Sequence, residues 1–279
     1  MSALLALFSS LLFGSSDYIG GHMSKKYKTM AVTGVFQVVG LFVGLVMMLV
    51  TRTWIAPNLS WNGYFLPGVF AGLIGFAGLN AFFAGLATGR MGVVSPISSL
   101  SVMIPVVYSF IQGERPSHLA ILGMAIAILG AFFGSGPEIR GGLSVKPLLF
   151  AVLAAVLFGT GVIFLTQGAQ TNSLMTAVSM RVANSVVLIL FAIRYKTLGG
   201  FGKSSFALLF FGGFADFMAN VTLGAASTSG LVSVSVVLAS MYPLITAVWA
   251  FKFAHERLHK LQYLGIICAI AGVSLISLG

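Results

Sequence analysis

Apolar runs long enough to cross a lipid bilayer follow one another along almost the whole chain, separated only by short stretches of charge, Pro, Asn or Gly. A bilayer core takes about 20 apolar residues per helical span and a connection adds several more, so about 28 residues per span fits ten spans into the chain. Only 7% of the residues are charged, against roughly 25% in a soluble globular domain. A water-soluble fold is thereby excluded. The sequence is read as an all-α integral membrane protein with ten transmembrane helices near 3–21, 31–50, 64–86, 92–111, 117–134, 147–168, 174–192, 204–225, 230–251 and 260–278. The longest connection, around Gly136 to Val145, is too short for a soluble domain, which leaves function to the bilayer interior. The first run is kept as a helix because nothing basic precedes it and no small-residue cleavage pattern follows it.

Charge then speaks to topology. Fifteen Lys and Arg against five Asp and Glu give a net charge of +10, which in a soluble chain would suggest nucleic acid. No basic block here is long enough to form such a stripe, and nucleic acid is not expected as a partner. The odd-numbered loops hold twelve Lys and Arg, among them Lys25, Lys26, Lys28, Arg140 and Lys260, while the even-numbered loops hold Arg52 and Arg115. By the positive-inside rule the odd loops are cytoplasmic and both termini lie outside the plasma (inner) membrane. Cys268, the lone cysteine, excludes a disulfide framework and a cysteine-rich metal site. No phosphate loop, nucleophile elbow or H-E-x-x-H motif is present, so no cofactor or enzymatic centre is expected.

The two halves repeat one another. Glu114-Arg115, Gly123 and Gly130 recur as Glu256-Arg257, Gly265 and Gly272 with the same spacing. Gly92-Val93 precedes Pro105 by thirteen residues, as Gly230-Leu231 precedes Pro243, and Leu12-Phe13-Gly14-Ser15 matches Leu157-Phe158-Gly159-Thr160. The division drawn from this is a first five-helix repeat over 1–136, a linker over 137–146 and a second repeat over 147–279. An odd number of helices per repeat inserts the copies in opposite senses, and inverted repeats are the architecture of secondary transporters, whose site lies near the midplane between them.

These features resemble the drug/metabolite transporter superfamily, in its EamA-like ten-helix branch. The resemblance rests on the first helix ending in Leu-Phe-Gly-Ser-Ser-Asp, on Gly89-Arg90-Met91-Gly92-Val93-Val94-Ser95-Pro96 leading into the fourth helix, and on the two Glu-Arg turns before Gly-spaced helices. It implies export or exchange of a small metabolite by alternating access. It also implies a central cavity lined by the first four helices of each repeat, with the fifth and tenth outside it. Many members of this branch look as though their even loops are cytoplasmic, opposite to the charge count here.

An ionisable group in hydrocarbon costs about 2.5 kcal/mol or more and needs a partner or a use. Arg181 and Asp216 each lie about twelve residues from the loop joining their helices, about 18 Å deep at ~1.5 Å per residue. They are expected to pair near the midplane, either as a switch broken by substrate or a proton or as a static clamp. Asn184 and Asn220 share their faces and line a wet cavity or serve as interhelical glue. Gln37 and Asn80 face the cavity or pack. Asp17, near His22, Lys25 and Lys26, reads as a gate carboxylate or as a snorkelled, Lys-paired side chain at the interface, the second being favoured. Pro96, Pro105 and Pro243 interrupt the fourth and ninth helices as hinges or plain kinks. Tyr108 and Tyr242 beside them stack on a substrate or sit as ordinary interfacial tyrosines. The Glu-Arg turns are read as structural, favourable for a neighbouring helix dipole. His255 and His259 lack a third metal ligand. The Gly-x-x-x-Gly pairs Gly40/Gly44, Gly68/Gly72, Gly85/Gly89 and Gly130/Gly134 are no commoner than chance in so glycine-rich a chain and carry no weight as dimer motifs.

Taken together, the sequence reads as a transporter of a small, amino-acid-like or related amphipathic metabolite, with the lipid bilayer and protons as candidate partners and with monomer or homodimer left open. A non-transporting integral membrane scaffold or subunit is the alternative, and a passive channel the third reading.

Overall fold

The computed structural model describes residues 1–88, 91–135, 145–195, 200–253 and 260–279. Gly89-Arg90, most of the linker and the Glu256-Arg257 turn with His255 and His259 lie outside the described residues. Twelve helices follow in order: α1 Ser2–Ser24, α2 Thr29–Thr51, α3 Phe65–Thr88, α4 Met91–Ser99, α5 Met103–Ile111, α6 His118–Gly134, α7 Val145–Ala169, α8 Ser173–Tyr195, α9 Lys203–Thr228, α10 Val232–Ala239, α11 Tyr242–Phe253 and α12 Lys260–Leu278. A 3-10 turn, Leu100–Val102, joins α4 to α5 as the fourth span, and α10 with α11 forms the ninth. Among the described residues there are therefore ten spans and no strand. Nine are long and apolar enough to cross a membrane by themselves, and α6 is the short one.

Two of the three prolines explain the breaks. Pro105 has no N–H to give the Ser101 carbonyl one turn back, and Pro243 has none for Ala239, so each sits just after an interruption, at Leu100–Val102 and at Ser240-Met241. Pro96, by contrast, lies inside α4 without breaking it. The prolines are not equivalent in space, although they align in sequence. A Cβ on Gly159 would meet the Ser101 carbonyl and Ile104, and one on Gly14 would meet the Tyr242 carbonyl and Ile245. That common contact pairs Ser101 with Tyr242, which places Pro243 about one turn earlier in its repeat than Pro105.

Helix packing follows a two-fold relation. The most extensive contacts join α6 to α12, α3 to α7 and α1 to α9; α2 also meets α8 and α9, and α3 meets α8. Exchanging each span with the one five places away turns every such pair into another of the set, as two inverted repeats require. At the crossing of α6 and α12, a Cβ on Gly123 would lie 2.8 Å from the Gly272 carbonyl, and one on Gly272 would lie 2.7 Å from that of Gly123. One on Gly130 would lie 2.5 Å from the Ala269 nitrogen. With little hydrophobic drive between helices in lipid, close backbone approach supplies the van der Waals contact. The glycines that revealed the repeat in sequence are thus the seam where its two copies meet. Gly40, Gly44, Gly68 and Gly72 likewise pack against α8 and α9 within the chain.

Glu114 acts across the halves and not on the helix beside it. Its Oε1 accepts from the Val232 amide at 2.7 Å and its Oε2 from the Ser233 amide at 3.0 Å, which caps α10. The first amides of a helix have no partner of their own and carry its positive dipole end, so a carboxylate satisfies both needs. Arg115 turns back to donate to the Phe110 carbonyl at 3.0 Å, and α6 takes its own cap from Ser117, which accepts from Ala120 at 3.0 Å.

Candidate functional site

Three spans bring the polar residues together at mid-depth. Arg181 and Asn184 project from α8, Asp216 from α9 and Gln37 from α2. Arg181 Nη2 donates to Asp216 Oδ2 at 2.8 Å, with side chains only 3% and 10% exposed. Its Nη1 donates to Gln37 Oε1, which also accepts from Asn184 Nδ2 at 2.8 Å. Gln37 is therefore the hub through which α2 joins the α8–α9 pair, a role its single polar position in an apolar run did not reveal. Asn220 Nδ2 bonds the Asp216 main-chain carbonyl one turn back at 2.7 Å and stiffens the helix that carries the carboxylate.

The guanidinium fits because α2 has no side chain at Gly40. A Cβ there would lie 2.7 Å from Arg181 Nε and 3.2 Å from Phe217 Cβ. The Phe217 ring centroid is 5.8 Å from Arg181 Cζ, within cation–π range. Two buried atoms of the network, Arg181 Nε and Asn184 Oδ1, have no hydrogen-bond partner. A buried polar atom left unpaired costs about 1–3 kcal/mol, so this cluster holds polar capacity that folding alone does not use.

Beside the cluster is a cavity of about 130 Å³ whose lining comes from spans one to four and six to nine. No described residue of α6 or α12 contributes to it. Asp17, Gln37, Arg181, Asn184, Asp216, Asn220 and Tyr242 all face it. The lining leans toward the even-loop face: it reaches Leu165, four residues from the end of α7, and Val236, four from the start of α10. From the opposite face it begins no nearer than Asp17, seven residues from the end of α1.

Asp17 differs from the favoured interfacial reading. Helix α1 runs on to Ser24, so the carboxylate lies about two turns inside the helix end. It is 9% exposed and turned into the cavity, in electrostatic reach of Asp216 and Tyr242. Among the described residues no donor or cation pairs with it. Ser101 and Tyr242, at the two helix breaks, both line the cavity. The Tyr242 ring packs edge-on to Phe13 at 6.3 Å.

Two expected site residues fall elsewhere. Asn80 Oδ1 accepts from Thr33 Oγ1 at 3.0 Å, and its Nδ2 donates to the Phe76 carbonyl at 2.9 Å, so it joins α3 to α2 off the lining. Tyr108 accepts from Gln112 Nε2 at 2.6 Å on a partly exposed surface, also off the lining. Pro96, Pro105 and Pro243 do not line the cavity, but Ser101, Ser240 and Tyr242 at the breaks do. Phe13, Phe76 and Phe158 complete the wall; nothing in an apolar helix marks which Phe turns inward.

The fold defines a multi-pass helical membrane protein with a cavity at mid-depth. The chain belongs to the EamA-like transporter family, whose model matches residues 1–135 and again 145–278. The same architecture is seen in a solved crystal structure with a TM-score of 0.81, covering 99% of this chain and 96% of that one at 16% identity. Likeness at that identity is of fold alone. No curated protein matches the chain.

Proposed function

We propose that the protein is a secondary transporter that exports or exchanges a small amphipathic metabolite across the plasma (inner) membrane by alternating access, the repeats 1–136 and 147–279 rocking about the mid-depth cavity. The observation that carries this reading is the buried Arg181–Asp216 pair and Gln37 hub on the wall of a cavity shared by both repeats. A scaffold has no use for an ion pair held at a cavity wall, whereas a carrier needs polar groups that change partners when a solute enters. An apolar cavity of ~150 Å³ takes up benzene, so one of about 130 Å³ suits a compact solute of one ring or the size of a small amino acid. With the odd loops cytoplasmic, a lining that leans to the even-loop face belongs to a state directed outward.

The test is uptake and counterflow of a labelled panel of amino acids, nucleosides and cationic amphiphiles in proteoliposomes, with wild type beside Asp216→Asn and Arg181→Ala. Saturable exchange of one compound, weakened by either substitution, is expected. Absence of exchange by folded, inserted protein overturns the carrier. Proton coupling through Asp216 is a separable step: Asp216→Asn that still concentrates substrate normally removes it.

A further inference from the structure

We infer that the solute taken into this cavity is a compact organic monocation, an ammonium group on an apolar or aromatic body, received by Asp17. The inference rests on the carrier reading and narrows its substrate class. Three charged side chains line the cavity among the described residues: Asp17, Arg181 and Asp216. Arg181 and Asp216 neutralise each other at 2.8 Å, which leaves Asp17, 9% exposed, as the one lining carboxyl with no counter-charge of its own, a group that gives up its proton when a cation comes beside it. A charge held in a low-dielectric interior is costly until it is paired. With Asp17 ionised, a monocation brings the cavity to neutrality, whereas a zwitterion such as an amino acid leaves one negative charge over and an anion leaves two.

The walls agree with the charge count. Phe13, Phe76, Phe158 and Tyr242 line the same space as Asp17, and Phe13 and Tyr242 meet edge-to-face at 6.3 Å. Aromatic faces attract an ammonium group and take up the hydrocarbon attached to it. No unpaired cation faces the cavity from the described residues to receive a carboxylate. The Arg181 charge is already matched by Asp216, and its unpartnered Nε abuts Gly40 of α2.

Single-ring probes of matched shape separate the possibilities: benzylamine as cation, benzyl alcohol as its neutral counterpart, and phenylglycine as the same amine carrying a carboxylate. Equilibrium binding of each to the full chain in nanodiscs is measured by calorimetry near neutral pH. Benzylamine is expected to bind at least about tenfold more tightly than the other two. Asp17→Asn is expected to erase that preference, with thermal unfolding of the variant beside wild type as the check that it is folded. Asp17→Glu is expected to retain the preference. Equal binding of the three probes, tighter binding of phenylglycine, no binding of benzylamine, or an unaltered preference in Asp17→Asn overturns the inference. Binding needs no transport, so a cation preference without exchange in liposomes overturns the carrier alone. Exchange without a cation preference overturns this inference alone.

Discussion

Replacing Asp216 by Asn leaves the shape of the site nearly intact and removes one charge, so its cost reports on the pair itself. The Arg181 side chain is 3% exposed and is hemmed in by Gly40 and Phe217. Taking one partner from a buried ion pair costs about 3–5 kcal/mol, because the other charge stays buried and uncompensated. At ~2–4 °C per kcal/mol for a chain of this order of length, the apparent melting temperature falls by ~6–20 °C. Arg181→Met combined with Asp216→Leu removes both charges, and such swaps are often close to neutral. Gln37 Oε1 then loses its Arg181 donor and keeps the one from Asn184 Nδ2, at about 1–3 kcal/mol. The double variant is therefore expected to melt between Asp216→Asn and wild type. The assay is thermal unfolding of the purified protein in one detergent, with unfolding by SDS in mixed micelles as a check. Asp216→Asn melting within about 2 °C of wild type, or a double variant less stable than the single one, refutes the claim that this pair ties α8 to α9.

Other positions give sharper contrasts. Gly40→Ala forces a methyl against Arg181 Nε at 2.7 Å and is expected to cost about 1–3 kcal/mol by overpacking, while Gly75→Ala, whose Cβ meets nothing within 4 Å, is expected to melt like wild type. Gly123→Val places its side chain on the Gly272 carbonyl at the α6–α12 seam; melting should drop by at least the same amount, and solute affinity of the protein that does fold should be unchanged because the seam lies off the cavity. Glu114→Gln weakens the cap on α10 by about 1 kcal/mol, read as faster hydrogen exchange at the Val232 and Ser233 amides, with no change at Ala120, which Ser117 caps.

The parts of this molecule that lipid dictates are legible in sequence. Hydrocarbon thickness sets the length of every span, so the ten helices can be counted from apolar runs. A rise of ~1.5 Å per residue converts sequence position to depth, which is why Arg181 and Asp216 were expected to meet and do. Spacing likewise exposed the repeat, because Gly123, Gly130, Gly265 and Gly272 must recur in register for α6 and α12 to touch backbone to backbone.

Rotation of each helix about its own axis is a different matter. A soluble helix announces its buried face by an apolar stripe, but a span that is apolar all round does not. Gln37 and Asn80 are alike in sequence as lone amides in apolar runs; one became the hub of the ion pair and the other a strut between α2 and α3. Tyr242 reached the cavity and Tyr108 did not. Asp17 turned inward although two lysines follow it in the chain, and Glu114 capped a helix of the opposite repeat, which no local spacing encodes. Sequence alone determined the spans, their depths and the repeat. The facing of each side chain was decided only when two inverted halves packed together, since in lipid the neighbouring helix, and not water, selects which face turns inward.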